Sequence, residues 1–400
     1  EVAAQVRTAR GEAVALVSIG DTPDGLADRC WRDLASAEPI PMADVAPDDP
    51  AVVILSSGTT GAPKGVVHLH RTLHAASSAC HSIYGATEPG DSTLVCMAPS
   101  FAAWIIICLP HLAARARIHF DRVFDPPRFL ETLARERINM APLVPTMWRM
   151  VMAAGPEDYD LSALRCAMFS GEPGSPDLVA AMAERVCGHV RTAYMSSEVA
   201  SGSAVAAGPA TLIDAGKPAS TGKPIPGADI RIADPEGGLD DEMPDGTPGE
   251  IWVTSPSVAS HYWKDESLTR DKLVGGWWRS GDLGYLDADG DLFVIGRTDN
   301  VINTGGIKVH AEEIEAALSQ HPAVEMVGVV GAPDPTWGQR IEAHVVVSDP
   351  GVTEQGILEF VEAEKLLPRN KLPKRIVLCE VLPTGPTGKL YRRGLLDTGA

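Results

Sequence analysis

The sequence predicts an α/β fold, and three observations carry that prediction. Short β-branched runs such as "VVIL" at 52–55 and "VEMVGVV" at 324–330 alternate with stretches of helical periodicity. Two apolar runs empty directly into glycine turns, at "LSSGTTG" and at "AMFSGEP". At 400 residues, 44% hydrophobic and 22% charged, the chain is long enough to bury a large core and to divide into more than one domain.

The elements follow in order. After the mixed apolar and acidic residues 1–50, a strand at 52–55 opens the first well-marked unit. The apolar stretch "AAWIIICLPHLAA" is broken by Pro110 and His111 and is too short to span a bilayer, so it reads as a buried element. A helix follows the pair Pro126 and Pro127, with Phe129, Leu133 and Arg137 on one face, then a strand, then a second helix near Met147. "GADIRIADPEGGLDDEMPDGTPGEIWVTSPS" holds two alternating runs around an acidic Gly/Pro loop, a hairpin-like region. A boundary falls near "GDLFVIGRTDNVINTGG". Beyond it Ala311, Ile314, Ala317 and Leu318 form one helical stripe, "VEMVGVV" and "IEAHVVV" are strands, and "EQGILEFVEAEKLL" is a further amphipathic helix.

Charge and cysteine usage exclude several classes. A formal net charge of −19 without a long basic run argues against a nucleic-acid partner. Seven cysteines with no CxxC pair read as reduced thiols, hence a cytoplasmic setting, and no secretory signal opens the chain. A start at Glu1 rather than Met reads as a segment that begins inside a longer protein.

The stretch "VVILSSGTTGAPKGVVHLHR" (52–71) carries the first chemistry. Glycine-rich backbone N–H groups around Gly58 and Gly61, hydroxyls from Ser57, Thr59 and Thr60, and the point charge of Lys64 suit a nucleoside triphosphate. A P-loop is excluded: Gly58 and Lys64 have its spacing, but Pro63 replaces its second glycine and Gly65 its magnesium-binding hydroxyl. His68 and His70 share one strand face, a pattern that also admits a metal pair, although no third ligand is near.

"LSSGTTGAPKGV" resembles the phosphate loop of the adenylate-forming superfamily, which includes acyl- and aryl-CoA ligases, luciferases and the adenylation domains of peptide synthetases. "SGEP" (170–173), "YMSSE" (194–198), "GEIWVTSPSVASHYWKD", "GWWRSGDLGYLDADGDLFVIGRTDN", "GGIKVHAEEIE" and "PTGPTGKLYRR" follow in the family's order, so the resemblance covers roughly residues 45–395. It implies a large multi-sheet N-terminal α/β domain over 1–296, incomplete at its start, and a small α+β C-terminal lid over 297–400 that swings about Asp299. It implies an ATP-dependent acid–CoA ligase: a carboxylate attacks the α-phosphorus of ATP, pyrophosphate leaves, and the thiol of coenzyme A captures the acyl adenylate. Glu198 is then the Mg²⁺ ligand, with Ser196 and Ser197 beside the phosphates. Gly171, Glu172 and Pro173 wall the adenine opposite Tyr194, and Asp282 and Arg297 take the ribose. Lys389 and Lys64 meet the reacting oxygens. Gly305 and Gly306 line the tunnel for the thiol arm.

Two positions depart from the family pattern. Phe101 is followed by Ala102, where many relatives carry His or Asp, so an amino acid's ammonium group lacks a partner. Met195 replaces a glycine. Phe101, Ala102, Trp104 and Met195, with Thr146, then line an apolar pocket for an aromatic or aliphatic acid, although each also suits an ordinary core. The partners implied are a small carboxylic acid, ATP and coenzyme A, with no membrane span, and a homodimer is compatible. Two alternatives stand beside this reading: a unit that loads a carrier protein, and a catalytically silent nucleotide-binding homologue.

Overall fold

The computed structural model describes residues 43–56, 64–84, 87–97, 99, 101–171, 175–207, 216–217, 219–384 and 390–397, and eight scattered positions before 42. Residues 1–46 form one compact unit and 47–400 another. Within the first, Val17–Ser18 and Arg29–Cys30 pair as short parallel strands.

The second unit opens with the antiparallel hairpin β1 (Pro50–Ser56) and β2 (Lys64–Leu69), which runs into α1 (His70–Tyr84). There follow β3 (Ser92–Val95), α2 (Ala102–Ala113), β4 (Arg117–Phe120), α3 (Pro126–Arg135), β5 (Met140–Leu143), α4 (Pro145–Ala153), β6 (Cys166–Ser170), α5 (Pro176–Arg185) and β7 (Val190–Ser196). With β8 (Ser201–Ala207) and β9 (Lys223–Pro224) these strands make a seven-stranded sheet ordered β9-β8-β7-β6-β5-β3-β4, parallel from β4 to β7. Alternation along β6 feeds two cores: Ala167 and Phe169 pack with Phe129, Trp148 and Val179, whereas Cys166 and Met168 pack with Ile83, Ile106 and Ile107.

Local chemistry sets the helix ends. Asp125 and Ser175 cap α3 and α5 by accepting from the backbone N–H of Arg128 and Leu178, each followed by proline at the first helical position; such caps are worth about 1 kcal/mol each. α3 ends at Arg135, so Arg137 stands outside it at φ 49° and does not extend the Phe129–Leu133 face. Pro110 sits inside α2 and cannot donate to the Ile106 carbonyl, which takes the Tyr84 hydroxyl instead at 3.3 Å.

A second sheet contains β10 (Asp229–Ala233) and β11 (Gly249–Thr254), the expected hairpin, with Ile230 opposite Val253. β12 (His261–Tyr262) leaves that sheet to pair with β2, and α6 (Glu266–Lys272) follows. The order β10-β11-β14-β13 is completed by β13 (Leu273–Val274) and β14 (Trp277–Leu286), with β15 (Leu292–Arg297) paired to β14.

The C-terminal part builds its own sheet from β16 (Val301–Thr304), β17 (Ile307–His310), β18 (Val324–Asp334), β19 (Gly338–Val347) and β20 (Arg375–Leu378), in the order β17-β16-β19-β18 with β20 parallel to β19. Between them lie α7 (Ala311–Leu318) and α8 (Glu354–Ala363). The stripe Ala311, Ile314, Ala317, Leu318 is buried against Ile341, Ala343, Val345, Ile357 and Val361. α9 (Arg392–Asp397) covers β18 on the other side, where Gly328 leaves room for Leu390 and Leu395. Among the described residues no helix is long and apolar enough to cross a membrane.

Candidate functional site

The predicted phosphate-loop residues Ser57, Gly58, Thr59, Thr60 and Gly61 lie outside the described residues, as do Glu172, Pro173 and Lys389. The remaining candidates of the large domain gather where the parallel strands end. β6 and β7 run side by side with Ser170 opposite Ala193, so Gly171 and Tyr194 are neighbours at the carboxyl edge of the sheet. Gly171 has φ 88°, a conformation that suits glycine. The crevice beyond the carboxyl ends of parallel strands is the general ligand position in open α/β sheets.

β7 then turns tightly into β8. Ser196 pairs with Ser201, its hydroxyl accepts from Val199 N at 3.1 Å, and Glu198 sits at the tip. Three contacts hold that tip. His68 Nε2, on β2, donates to the Ser197 carbonyl at 2.8 Å. Ala259 N donates to the Glu198 carbonyl at 2.7 Å. The Tyr262 hydroxyl, on β12, donates to Glu198 Oε1 at 3.0 Å. Burial pushes the Glu198 carboxyl above the usual carboxylate range, while the Tyr262 hydrogen bond and the Lys64 charge draw it back. Lys64 is the first residue of β2, two positions from Val66, which pairs with Tyr262, so one three-stranded sheet delivers both groups.

Asp282 and Arg297 are directly opposed on β14 and β15. Arg297 Nη1 donates to Asp282 Oδ1 at 2.7 Å, and the Tyr194 hydroxyl donates to Oδ2. Tyr194 therefore joins the two sheets through the carboxylate predicted to meet the ribose. Burial and the neighbouring Asp282 hold the Tyr194 hydroxyl protonated well beyond its ordinary range. Behind Asp282, Gly281 N donates to the buried Glu250 at 3.1 Å and Glu250 is paired with Arg279 at 2.8 Å. Arg297 Nε also holds Asp299 at 3.0 Å, at the predicted hinge.

The apolar candidates are spread more widely. Phe101 caps α2, and Ala102 and Met195 pack on the same core cluster. The Trp104 ring stacks on Phe120 of the edge strand β4, with centroids 5.7 Å apart. Thr146 is exposed at the start of α4. On the C-terminal sheet Gly305 and Gly306 form the β16–β17 turn at φ 59° and 82°. A β-carbon on Gly305 would lie 2.6 Å from the Trp337 ring, so the ring and the turn fit only without a side chain.

The metal-pair pattern at His68 and His70 does not form. The strand ends at Leu69, His70 opens α1 and is exposed, and His68 points into the core, where burial lowers its pKa. The residues that sequence reasoning missed are His68 as a backbone tether and Tyr262 as the partner of Glu198. Tyr262 lies inside the quoted motif "SHYWKD", which was its only signal.

A carboxylate near a lysine charge, and a second held between Tyr194 at the end of a parallel strand and Arg297 on an antiparallel pair, are the kind of groups a nucleotide-activating enzyme of the adenylate-forming type uses. Residues 2–263 match the model of the AMP-binding enzyme family and residues 313–389 that of the AMP-binding enzyme C-terminal domain. The chain belongs to the AMP-binding enzyme family. It is similar to a feruloyl-CoA synthase from an Amycolatopsis species, 33% identical over 90% of this chain and 72% of that protein. It is also similar to a 2-succinylbenzoate–CoA ligase of Bacillus cereus, 33% identical over 87% and 70%. Among solved structures, the o-succinylbenzoate CoA synthetase of Bacillus subtilis with its acyl-adenylate intermediate superposes with a TM-score of 0.86, at 25% identity over 98% of this chain and 80% of that one. An amide bond synthetase from Marinactinospora thermotolerans gives 0.85 at 29% identity, over 99% and 77%. By class the chain is an AMP-forming acid–thiol ligase.

Proposed function

We propose that this ligase activates an aromatic carboxylic acid and passes it to coenzyme A in the cytoplasm. The observation that carries the reading is the pair of held carboxylates: Asp282 between Tyr194 and Arg297, and Glu198 between Tyr262 and the Lys64 charge. Asp282, an acceptor-only group, takes the ribose hydroxyls of ATP, and the Tyr194 ring and Gly171 flank the adenine. Lys64 and Lys389 neutralise charge on the phosphates and the incoming carboxylate, the chief need in transfer at phosphorus.

The Glu198 site fits Mg²⁺, which takes hard oxygen ligands and is commonly held by one or two carboxylates together with substrate phosphates. Tyr262 engages one carboxylate oxygen and leaves the other for the ion, with Ser197 adjacent. When bound, the ion neutralises phosphate charge. The protein's own part is to hold the carboxylate in place through His68, Ala259 and Tyr262.

Phe101, Ala102 and Met195 line the acid site. The small Ala102 leaves space for a ring, and two of the relatives act on aromatic acids by name. Trp104, stacked on the edge strand, is assigned to packing. The C-terminal domain turns about Asp299, bringing the Gly305–Gly306 turn to the site as the thiol enters; the open space at Gly306 suits a narrow arm. The test is acid-dependent ATP–pyrophosphate exchange on the full-length protein across cinnamates, benzoates and fatty acids, followed by product analysis with coenzyme A, a carrier protein and simple amines. Exchange with an aromatic acid and a CoA thioester as product support the reading. Exchange with fatty acids alone, or an amide as the sole product, overturns it.

A further inference from the structure

The proposed rotation pivots at Asp299, and one close contact crosses that pivot. Glu312 stands in the first turn of α7, on the C-terminal side, and Gly296 lies near the end of β15, on the other. A β-carbon on Gly296 would lie 2.6 Å from Glu312 Oε2 and 3.1 Å from its carboxyl carbon, so the carboxylate rests where any side chain at 296 would exclude it. Two groups hold the other oxygen. Asn300 Nδ2 donates to Oε1 at 2.5 Å and Arg392 Nη2 at 3.3 Å. Arg392 is itself fixed by Glu315 and by the Val329 carbonyl at 2.9 Å. Oε2 is buried and, among the described residues, has no hydrogen-bond partner.

The two oxygens therefore differ in kind. The partners of Oε1 all lie beyond the pivot and travel with Glu312 when the small domain turns. The Oε2 contact is made across the pivot, and a carboxylate oxygen removed from water without a donor is costly. That cost applies in the orientation seen and is relieved when α7 moves off β15. A group that penalises one of two orientations shifts their populations by its differential free energy. We propose that Glu312 is a positioning residue: its unpaired oxygen, pressed on Gly296, keeps the small domain from settling in this orientation and so sets the balance between adenylation and thioester formation. The inference rests on the two-orientation reading above.

The contact makes opposite predictions for its two sides. Glu312→Ala removes the unpaired oxygen and favours the orientation seen, whereas Gly296→Ala places a methyl group on the carboxylate and disfavours it. In the full-length enzyme, adenylation is read by pyrophosphate exchange and thioester formation by capture of preformed adenylate. The ratio of the two rates moves in opposite directions in the two variants, by about fivefold or more in each. The double variant Gly296→Ala/Glu312→Ala matches Glu312→Ala, because the unpaired oxygen is gone and no carboxylate remains for the methyl group to meet. A merely structural role lowers both rates together with the melting temperature and leaves the ratio fixed, which overturns the proposal. Ratios that move in the same direction, or a double variant that keeps the shift of Gly296→Ala, overturn it too. Asp299→Pro isolates the premise: if it shifts the ratio while both partner variants leave it unchanged, the hinge stands and the role of Glu312 falls. If it also leaves the ratio unchanged, both fall.

Discussion

Tyr194→Phe separates binding from chemistry at the nucleotide. The substitution keeps a flat ring beside Gly171 and deletes one donor to Asp282, while Arg297 Nη1 at 2.7 Å remains. The Asp282 side chain is 18% exposed, so water replaces the lost donor only in part. A hydrogen bond to a charged acceptor contributes about 1.5–3 kcal/mol, and the surviving arginine places the loss near the lower end. At 1.4 kcal/mol per decade, about 1.5 kcal/mol corresponds to about a tenfold weaker interaction. The ribose does not react, so its contacts hold ground state and transition state alike, and uniform binding lost appears in KM rather than in kcat. The expected result is a KM for ATP raised about tenfold with kcat changed less than about threefold, measured by acid-dependent pyrophosphate release. Because burial and Asp282 keep the wild-type hydroxyl protonated far above neutrality, that KM is also flat on the alkaline side of neutral. A fall in kcat at unchanged KM would refute the reasoning, since it would place Tyr194 in the chemical step.

Three other outcomes follow from contacts of the same kind. His68→Gln retains an N–H at the Nε2 position and is expected to keep near-normal magnesium activation, whereas His68→Leu raises the half-saturating Mg²⁺ about tenfold, in line with outer-shell losses of 10- to 100-fold; equal behaviour of the two variants removes the tether. Lys217 Nζ lies 2.7, 2.7 and 2.8 Å from Asp287, Asp289 and Asp291, so the ammonium is the cation this turn requires. In Lys217→Met three carboxylates within 4.8 Å of one another are left uncompensated, and thermal unfolding should show a lower Tm that millimolar Ca²⁺ partly restores; indifference to Ca²⁺ argues against the clamp. His68 and His111 are buried and their pKa values lowered by that burial, so the unfolded chain binds protons first. Their stabilisation is complete above the ordinary imidazole value of about 6.5 and is lost as pH falls from there through the folded values, at up to about 1.4 kcal/mol per pH unit for each group. His111→Gln should flatten the acid limb of a denaturant-midpoint profile by one proton's share, and an unchanged slope would exclude His111 from it.

The sequence discloses what is written at short range. The α7 stripe and the alternation of β10 and β11 are read from side-chain period alone, because one face of each is buried against a single core. Arg137 breaks that rule at a boundary, where Glu136 closes the helix one residue earlier. His68 and His70 break it where strand becomes helix: the same i, i+2 spacing that shares a face in β2 no longer does once α1 begins. The Tyr262–Glu198 hydrogen bond had no periodic signature, since it depends on β12 leaving its own sheet to pair with a strand almost two hundred residues earlier in the chain. Likewise no pattern marks Gly296 as the seat of a carboxylate from α7.

Gly65 shows how one long-range pairing decides two features of the site. In a P-loop this position carries the hydroxyl that holds the metal. Here a β-carbon would meet Val53 Cγ1 at 2.9 Å and Trp263 Cβ at 3.0 Å, because β2 is flanked by β1 on one side and by β12 and the residue after it on the other. Trp263 N donates to the Gly65 carbonyl at 2.7 Å and fixes that approach. The strand that denies position 65 a side chain is also the one that carries the Tyr262 hydroxyl to Glu198. Exclusion of a hydroxyl beside the phosphate loop and support of a carboxylate at the β7–β8 tip are thus one packing event. On the proposed reading, the metal-holding group therefore comes from the β7–β8 turn and not from the loop itself.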